Sequence, residues 1–286
     1  LEQTGASVDK YSAMLEAVNT EGLILDEGRA ATGYERSVSA TLSLAFAKLS
    51  PAAAQLLRLC AYAAPEPLPE RFLREAVEKL PPELAAAAAD PLSWNRVAGE
   101  LRSYGLAERI DISALDRAPG ETTHRTELAL NLHRLTQQVT RARLAQPEKD
   151  CRSFLALLRA CCPAETKLPA HWPRYAALAP HITQLDRYYA AGWLDTRRFC
   201  WLLDRVASYL SDGPALYAQS AHWFQHVWEI DKQELGEEHS DTLSDMNNLA
   251  IALWRQGDFT GARVLQENVL EVRRRMLGEE HPDTVT

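Results

Sequence analysis

His222 and His226 stand four residues apart with Glu229 three further on. On a helix this spacing gathers two imidazoles and a carboxylate on one side, where a metal ion could sit. The pattern lacks the adjacent glutamate of H-E-x-x-H and is common by accident, so no metal is expected. No G-x-x-x-x-G-K-[ST] occurs, and no apolar run followed by paired acids accompanies such a loop. The chain by itself is therefore not expected to cradle phosphates, hold magnesium or hydrolyse ATP. Nothing marks a Ser/His/Asp or Cys/His set, and no catalytic residue is expected. Cys60, Cys151, Cys161, Cys162 and Cys200 lie among apolar neighbours without C-x-x-C spacing, which reads as reduced, buried thiols. Arg273, Arg274 and Arg275 form a short basic run, read as a solvated helix face near the helix C-terminus.

The elements that position these side chains follow from an internal repeat. Leu-Gly-Glu-Glu-His-Ser-Asp-Thr at Leu235–Thr242 returns as Leu-Gly-Glu-Glu-His-Pro-Asp-Thr at Leu277–Thr284, 42 residues later. A period of that length signals stacked supersecondary units. Between the copies Leu243, Met246, Leu249, Ala250 and Leu253 recur at helical spacing, and Gln256-Gly257-Asp258 breaks the pattern. Phe259, Ala262, Leu265, Val269 and Leu270 then give a second apolar face, with small Ala250 and Ala262 allowing close approach of two helices. Leu277-Gly278 closes that helix, and Ser240-Asp241 or Pro282-Asp283 suit the start of the next. His239 and His281 belong to the joining turn and are read as structural. These residues resemble the long tetratricopeptide repeats of kinesin light chains and bacterial signalling proteins, through Asn-Asn-Leu-Ala, Gln-Gly and Leu-Gly-x-x-His-Pro-x-Thr. Residues 194–236 look like a degenerate earlier repeat, with helices over Leu194–Leu210 and Tyr217–Leu235 and with Trp201, Trp223 and Trp228 as core fillers. Since the chain stops at Thr286, where another first helix should begin, further repeats are expected to follow.

Residues 39–144 follow no such period. Helices are expected over Ala40–Leu49, Pro51–Ala63, Glu70–Leu80 and Pro91–Tyr104, with Pro65–Pro69 as a connector and Gly105 ending the last helix. Leu106–Ile110 and Glu127–His133 read as two strands pairing across the polar stretch Asp111–Thr126, since Leu128, Leu130 and Leu132 alternate onto one face. Helices followed by a two-stranded wing make a winged helix. With Leu132-His133-Arg134-Leu135 directly after the second strand, the arrangement resembles the winged-helix subdomain of the NB-ARC signal-transduction ATPases. That family includes plant resistance proteins, apoptosome proteins and bacterial homologues ending in tetratricopeptide repeats.

The resemblance implies a mainly α chain. It divides into the tail of a helical subdomain (1–36), a winged-helix domain (37–146), a helical linker (147–193) and an α-helical tetratricopeptide solenoid (194–286). In the family the histidine of a Met-His-Asp motif contacts the β-phosphate of bound ADP. His133 occupies that position, with Leu132 for Met but Arg134 for Asp, so only the histidine's role carries over. Tetratricopeptide proteins use amides on the concave face to bind extended peptides, which points to Asn247 and Asn248, with Arg255 a further candidate on the same helix. The function implied is the regulatory portion of a nucleotide-switched signalling protein, in which the winged helix senses ADP or ATP held by a nucleotide-binding core upstream of Leu1. No cofactor is expected in the chain itself. The expected partners are a protein or peptide on the repeats and, on activation, sister protomers.

Composition constrains the alternatives. Of the 286 residues, 46% are hydrophobic and 24% charged, the balance of a globular chain rather than a disordered one. Net charge −8, from 31 Lys and Arg against 39 Asp and Glu, disfavours broad binding to nucleic acid or anionic membrane. No stretch approaches the roughly 18 apolar residues of a membrane helix and the sequence begins at Leu1 with no Met and no basic-then-apolar leader, so a soluble, cytoplasmic protein is expected. A DNA-binding regulator is the main rival, but its reading helix, Leu92–Tyr104, offers only Arg96 and Arg102 against Asp90 and Glu100. A plain interaction scaffold would need only the repeats.

Overall fold

A computed structural model of the chain describes residues 42, 44–113 and 126–285, which fall into two compact units, one ending at Leu157 and one beginning at Leu158. The tail over 1–36 and most of the polar stretch between the strands lie outside the described residues. The boundary between units falls within the segment read as a linker.

In the first unit, α1 (Pro51–Cys60) starts where expected, because Ser50 Oγ accepts the Ala53 N–H at 3.3 Å and Pro51 has no N–H to leave unbonded. The Pro65–Pro69 connector contains a two-residue strand, β1 (Leu68–Pro69), which pairs with the third strand. The helix expected over Glu70–Leu80 divides into α2 (Glu70–Glu75) and a 3-10 turn at Val77–Lys79. A further helix, α3 (Pro82–Ala89), occupies a stretch for which the sequence pattern gave no element. Next, α4 (Pro91–Ser103) is capped by Asp90, whose carboxylate accepts the Ser93 N–H at 2.8 Å.

The strands β2 (Glu108–Asp111) and β3 (Leu128–Asn131) pair antiparallel, Arg109 opposite Leu130, and the sheet order is β1-β3-β2. The central strand buries Ala129 and Leu130 against a helical core of Leu56, Phe72, Leu73, Leu84, Trp94 and Leu101. After the sheet comes α5 (Arg134–Ala142), anchored to the end of α1 by Gln137 Nε2 donating to Ala63 O at 3.1 Å. The N-terminal part of α6 (Pro147–Cys161) is held to α1 by Arg58 on Asp150 at 2.9 Å and by Tyr62 Oη donating to Pro147 O at 2.6 Å.

The second unit is a run of helices: α7 (Trp172–Thr183), the short α8 (Asp186–Ala190), α9 (Thr196–Asp212), α10 (Tyr217–Leu235), α11 (Ser240–Gln256), α12 (Phe259–Leu277) and the first turn of α13 (Pro282–Val285). The expected hairpins are α9–α10 and α11–α12. Small Ala207, Ala221 and Ala252 let the helices close on Phe224 and Leu249, with Trp223 and Trp228 packed at the edge of this cluster as core fillers. Ser220 Oγ, fully buried there, donates to Ala207 O at 2.8 Å.

The repeated Leu-Gly-x-x-His motif has a physical reason at each position. Gly236 and Gly278 take nearly the same backbone, φ 96° ψ 163° and φ 91° ψ 167°, a region essentially closed to side-chain-bearing residues. His239, rather than Ser240 or Asp241, is the N-cap of α11: its Nδ1 accepts the Asp241 N–H at 3.2 Å. The α11–α12 turn closes with Gly257 in the left-handed region and the Asp258 N–H on Leu253 O, a Schellman arrangement. The earlier hairpin joins its helices through four residues, 213–216, where the later one uses two. Among the described residues no helix is long and apolar enough to cross a membrane.

Candidate functional site

A cavity of about 420 Å³ opens between α9, α10 and α11. From α9 it is lined by Cys200, Trp201, Asp204 and Arg205, from α10 by Asp231 and Glu234, and from α11 by Asp241, Asp245 and Asn248, with Arg197 among the remaining residues around it. Five carboxylates therefore face two guanidinium groups.

The positions are dictated by helical spacing. Cys200, Asp204 and Asp241, Asp245 are i, i+4 pairs on α9 and α11, and Asp231 and Glu234 are an i, i+3 pair on α10, so each helix turns one acidic edge to the same space. Asp204 has local support: Asn248 Nδ2 donates to its Oδ1 at 3.3 Å and Arg205 Nη2 lies 3.3 Å from its Oδ2. Asp245 has much less. It is 8% exposed, and its Oδ2 is buried without a hydrogen-bond partner. The Asp231 carboxyl stands beside it. Burial, then that hydrogen-bonding contact, then the charges of Asp231, Asp204 and Asp241 push the Asp245 carboxyl up to about 8. Burial likewise raises Asp204 and, with Asp231 second, the Cys200 thiol, which is thereby inert as a nucleophile near neutral pH.

The residues singled out from sequence occupy different settings. Asn248 lines the cavity, whereas Asn247 is half-buried and does not. Arg255 sits further along α11 and donates to Ser211 Oγ and Asp212 Oδ1, both at 2.7 Å, tying α11 to α9. His133 is exposed at the start of α5, where its Nδ1 accepts the Leu135 N–H at 3.2 Å. With φ −58° and ψ 142° against −67° and 142° for His239, it is the same capping device in another part of the chain.

His222 and His226 diverge: His226 Nε2 is 2.7 Å from Asp186 Oδ1, His222 stacks edge-on against Trp223, and Glu229 accepts from Gln225. Trp201 is not a core filler. It lines the cavity with the Arg159 and Arg205 guanidinium groups 4.9 and 5.5 Å from its ring centre. All five cysteines are free thiols, Cys162 half-buried and the others buried.

Asp204, Asp231 and Asp245 were not picked out by sequence reasoning. One signal was available: Asp245 falls at i+2 from Leu243 and i−4 from Leu249, inside the apolar stripe of α11, where a carboxylate needs a reason.

None of the curated proteins compared with the chain matches it. Residues 242–283, which run from the third residue of α11 through α12 to the start of α13, match the tetratricopeptide repeat family, so this part of the chain is a tetratricopeptide repeat, a unit that generally serves protein–protein interaction.

Proposed function

We propose that the chain is the regulatory and sensing portion of a nucleotide-switched signalling protein of the NB-ARC kind: the repeats bind a protein partner, and the first unit, read as a winged helix, reports nucleotide state. The observation that carries it is the cavity between α9, α10 and α11, which sets the Asn248 amide, on the first helix of the matched tetratricopeptide repeat, among charged groups. Extended peptides are held on such faces by side-chain amides and charges at successive helical positions.

The winged-helix reading is supported by element order: α1, β1, α2 to α4, then β2 and β3 with β3 central in an antiparallel sheet. His133 suits the nucleotide role in one respect. Its Nδ1 is occupied as an acceptor, so the neutral ring carries its proton on Nε2, a donor available to a phosphate oxygen. ADP or ATP would be held by a core outside this chain, and no catalysis is assigned to the chain itself. A partner on the repeats acts as a trigger only if it binds one nucleotide state more tightly than the other. The DNA-binding reading gains nothing from the structure, because Asp90 and Glu100 are engaged at the starts of α4 and α1 and α4 still offers only Arg96 and Arg102.

The test is nucleotide content of the purified full-length protein by denaturing release and chromatography, with His133→Ala and His133→Asn beside wild type. ADP in wild type, depleted in both variants although asparagine keeps the cap, is the expected result. No nucleotide in any of them would remove the switch and leave partner binding alone.

A further inference from the structure

We infer that the cavity between α9, α10 and α11 receives the cationic side chain of a lysine or arginine from an extended segment of the protein partner, with Asp245 as its seat and Asp204 and Asp231 beside it. This rests on the partner-binding reading of the repeats.

The Asp245 Oδ2 is buried without a partner on a side chain that lines the cavity, and ionising a carboxyl withdrawn from water without a donor is costly. The chain does not supply the missing cation. Arg205 turns its terminal nitrogens to Asp204 and to Ala164 O, the latter at 2.9 Å, and lies on the Trp201 ring, with its Nε buried without a partner, and Arg197 is exposed among the lining residues; neither guanidinium is bonded to Asp245. Asp204, Asp231, Glu234, Asp241 and Asp245 therefore outnumber their counter-charges around the cavity. Among the described residues no group of three or more acids, histidines or cysteines has the geometry to hold a metal ion. An ammonium or guanidinium entering from the open side brings several N–H donors to carboxylates on three helices at once. The elevated affinity of Asp245 for its proton adds a signature: near pH 7 a cation must displace about one proton, so binding tightens as pH rises from about 6 to 8.

The experiment is selection of a random decapeptide library on the full chain at pH 7.0, in parallel on the wild type and on Asp204→Asn/Asp245→Asn, followed by calorimetry of the winning peptides in buffers of different ionisation enthalpy. Expected is enrichment of Lys or Arg on the wild type alone, at least tenfold weaker binding of the winners to the double variant, and release of about one proton that Asp245→Asn abolishes. Far-ultraviolet circular dichroism verifies that the variants are folded. Enrichment of peptides without Lys or Arg that bind the double variant equally well overturns the cationic seat while leaving partner binding intact. Enrichment of nothing on either protein overturns both.

Discussion

Glu70 in the first unit and Asp245 in the second are withdrawn from water to similar degrees, 5% and 8% exposed, and their surroundings are opposite. Glu70 Oε1 accepts from Arg109 Nε at 2.6 Å, and its Oε2 accepts from Arg109 Nη2 and from Trp94 Nε1, both at 2.7 Å, while Arg109 also donates to Asn95. That carboxylate joins α2, α4 and β2, three elements adjacent only in the folded state. Asp245 meets Asp231, Asp204 and Asp241 and has an oxygen without a donor. A carboxylate bonded on every side holds a fold together; one left among its own kind weakens the fold and keeps binding capacity in reserve.

The comparison breaks most visibly at Glu70. Glu70→Ala leaves the buried Trp94 N–H without its acceptor and the Arg109 guanidinium with only Asn95, and urea unfolding is expected to show a loss of about 3 kcal/mol. A loss under about 1 kcal/mol would mean that the network is ornamental.

Gly236→Ala tests whether the cavity's walls depend on the turn that follows α10. Forcing a Cβ into φ 96° ψ 163° should cost about 2 kcal/mol, seen as a lower midpoint with an unchanged m-value.

Asp245→Asn should have the opposite sign. In the unfolded chain Asp245 ionises near 4, whereas in the folded chain it keeps its proton to about 8, so the folded state binds the extra proton between those values. Its contribution is fully present below about pH 4 and is lost as pH rises toward about 8. Removing the charge is therefore expected to stabilise the protein by roughly 1–2 kcal/mol near pH 8, after allowance for solvent screening, and to flatten its stability from pH 5 to 8. Destabilisation at pH 8 would show that Asp245 has a hidden partner.

The smallest effects set His133 against His239, the same cap in the two units. Each change to alanine should lose about 1 kcal/mol or less in thermal unfolding, and a much larger loss at either would reveal contacts beyond the cap.

The repeat was legible because Leu-Gly marks a conformation only glycine takes; the role of His239 as the N-cap of the next helix was not, since Ser240 and Asp241 are the commoner caps. The positions of β2 and β3 were legible, but β3 is shorter than the alternation of Leu128, Leu130 and Leu132 suggested and buries the adjacent Ala129 and Leu130. The α3 helix was not legible, since Pro82–Ala89 is a leucine among alanines after two prolines, and alanine carries no polar and apolar contrast to show a period. β1 was hidden in a proline-rich connector for a similar reason, as Leu68–Pro69 gains its strand character only from β3. The acidic cavity was illegible beyond the anomaly of Asp245, because residues 204, 231 and 245 meet only after three helices have packed. Asn248 was marked by its motif and lines the cavity, and Trp201 was misplaced in the core because one sequence shows that a helix face is apolar without showing what covers it.

The most direct test of this account is a titration of side-chain carboxyl carbons by NMR, on protein labelled at aspartate, with Asp245→Asn to assign the signal. The account predicts an Asp245 carboxyl that titrates near pH 8 in the free protein and falls toward the ordinary carboxylate range when a lysine-bearing peptide is bound. An Asp245 that titrates below pH 5 in the free protein would contradict it, for then the carboxylate is already satisfied and the cavity holds nothing in reserve.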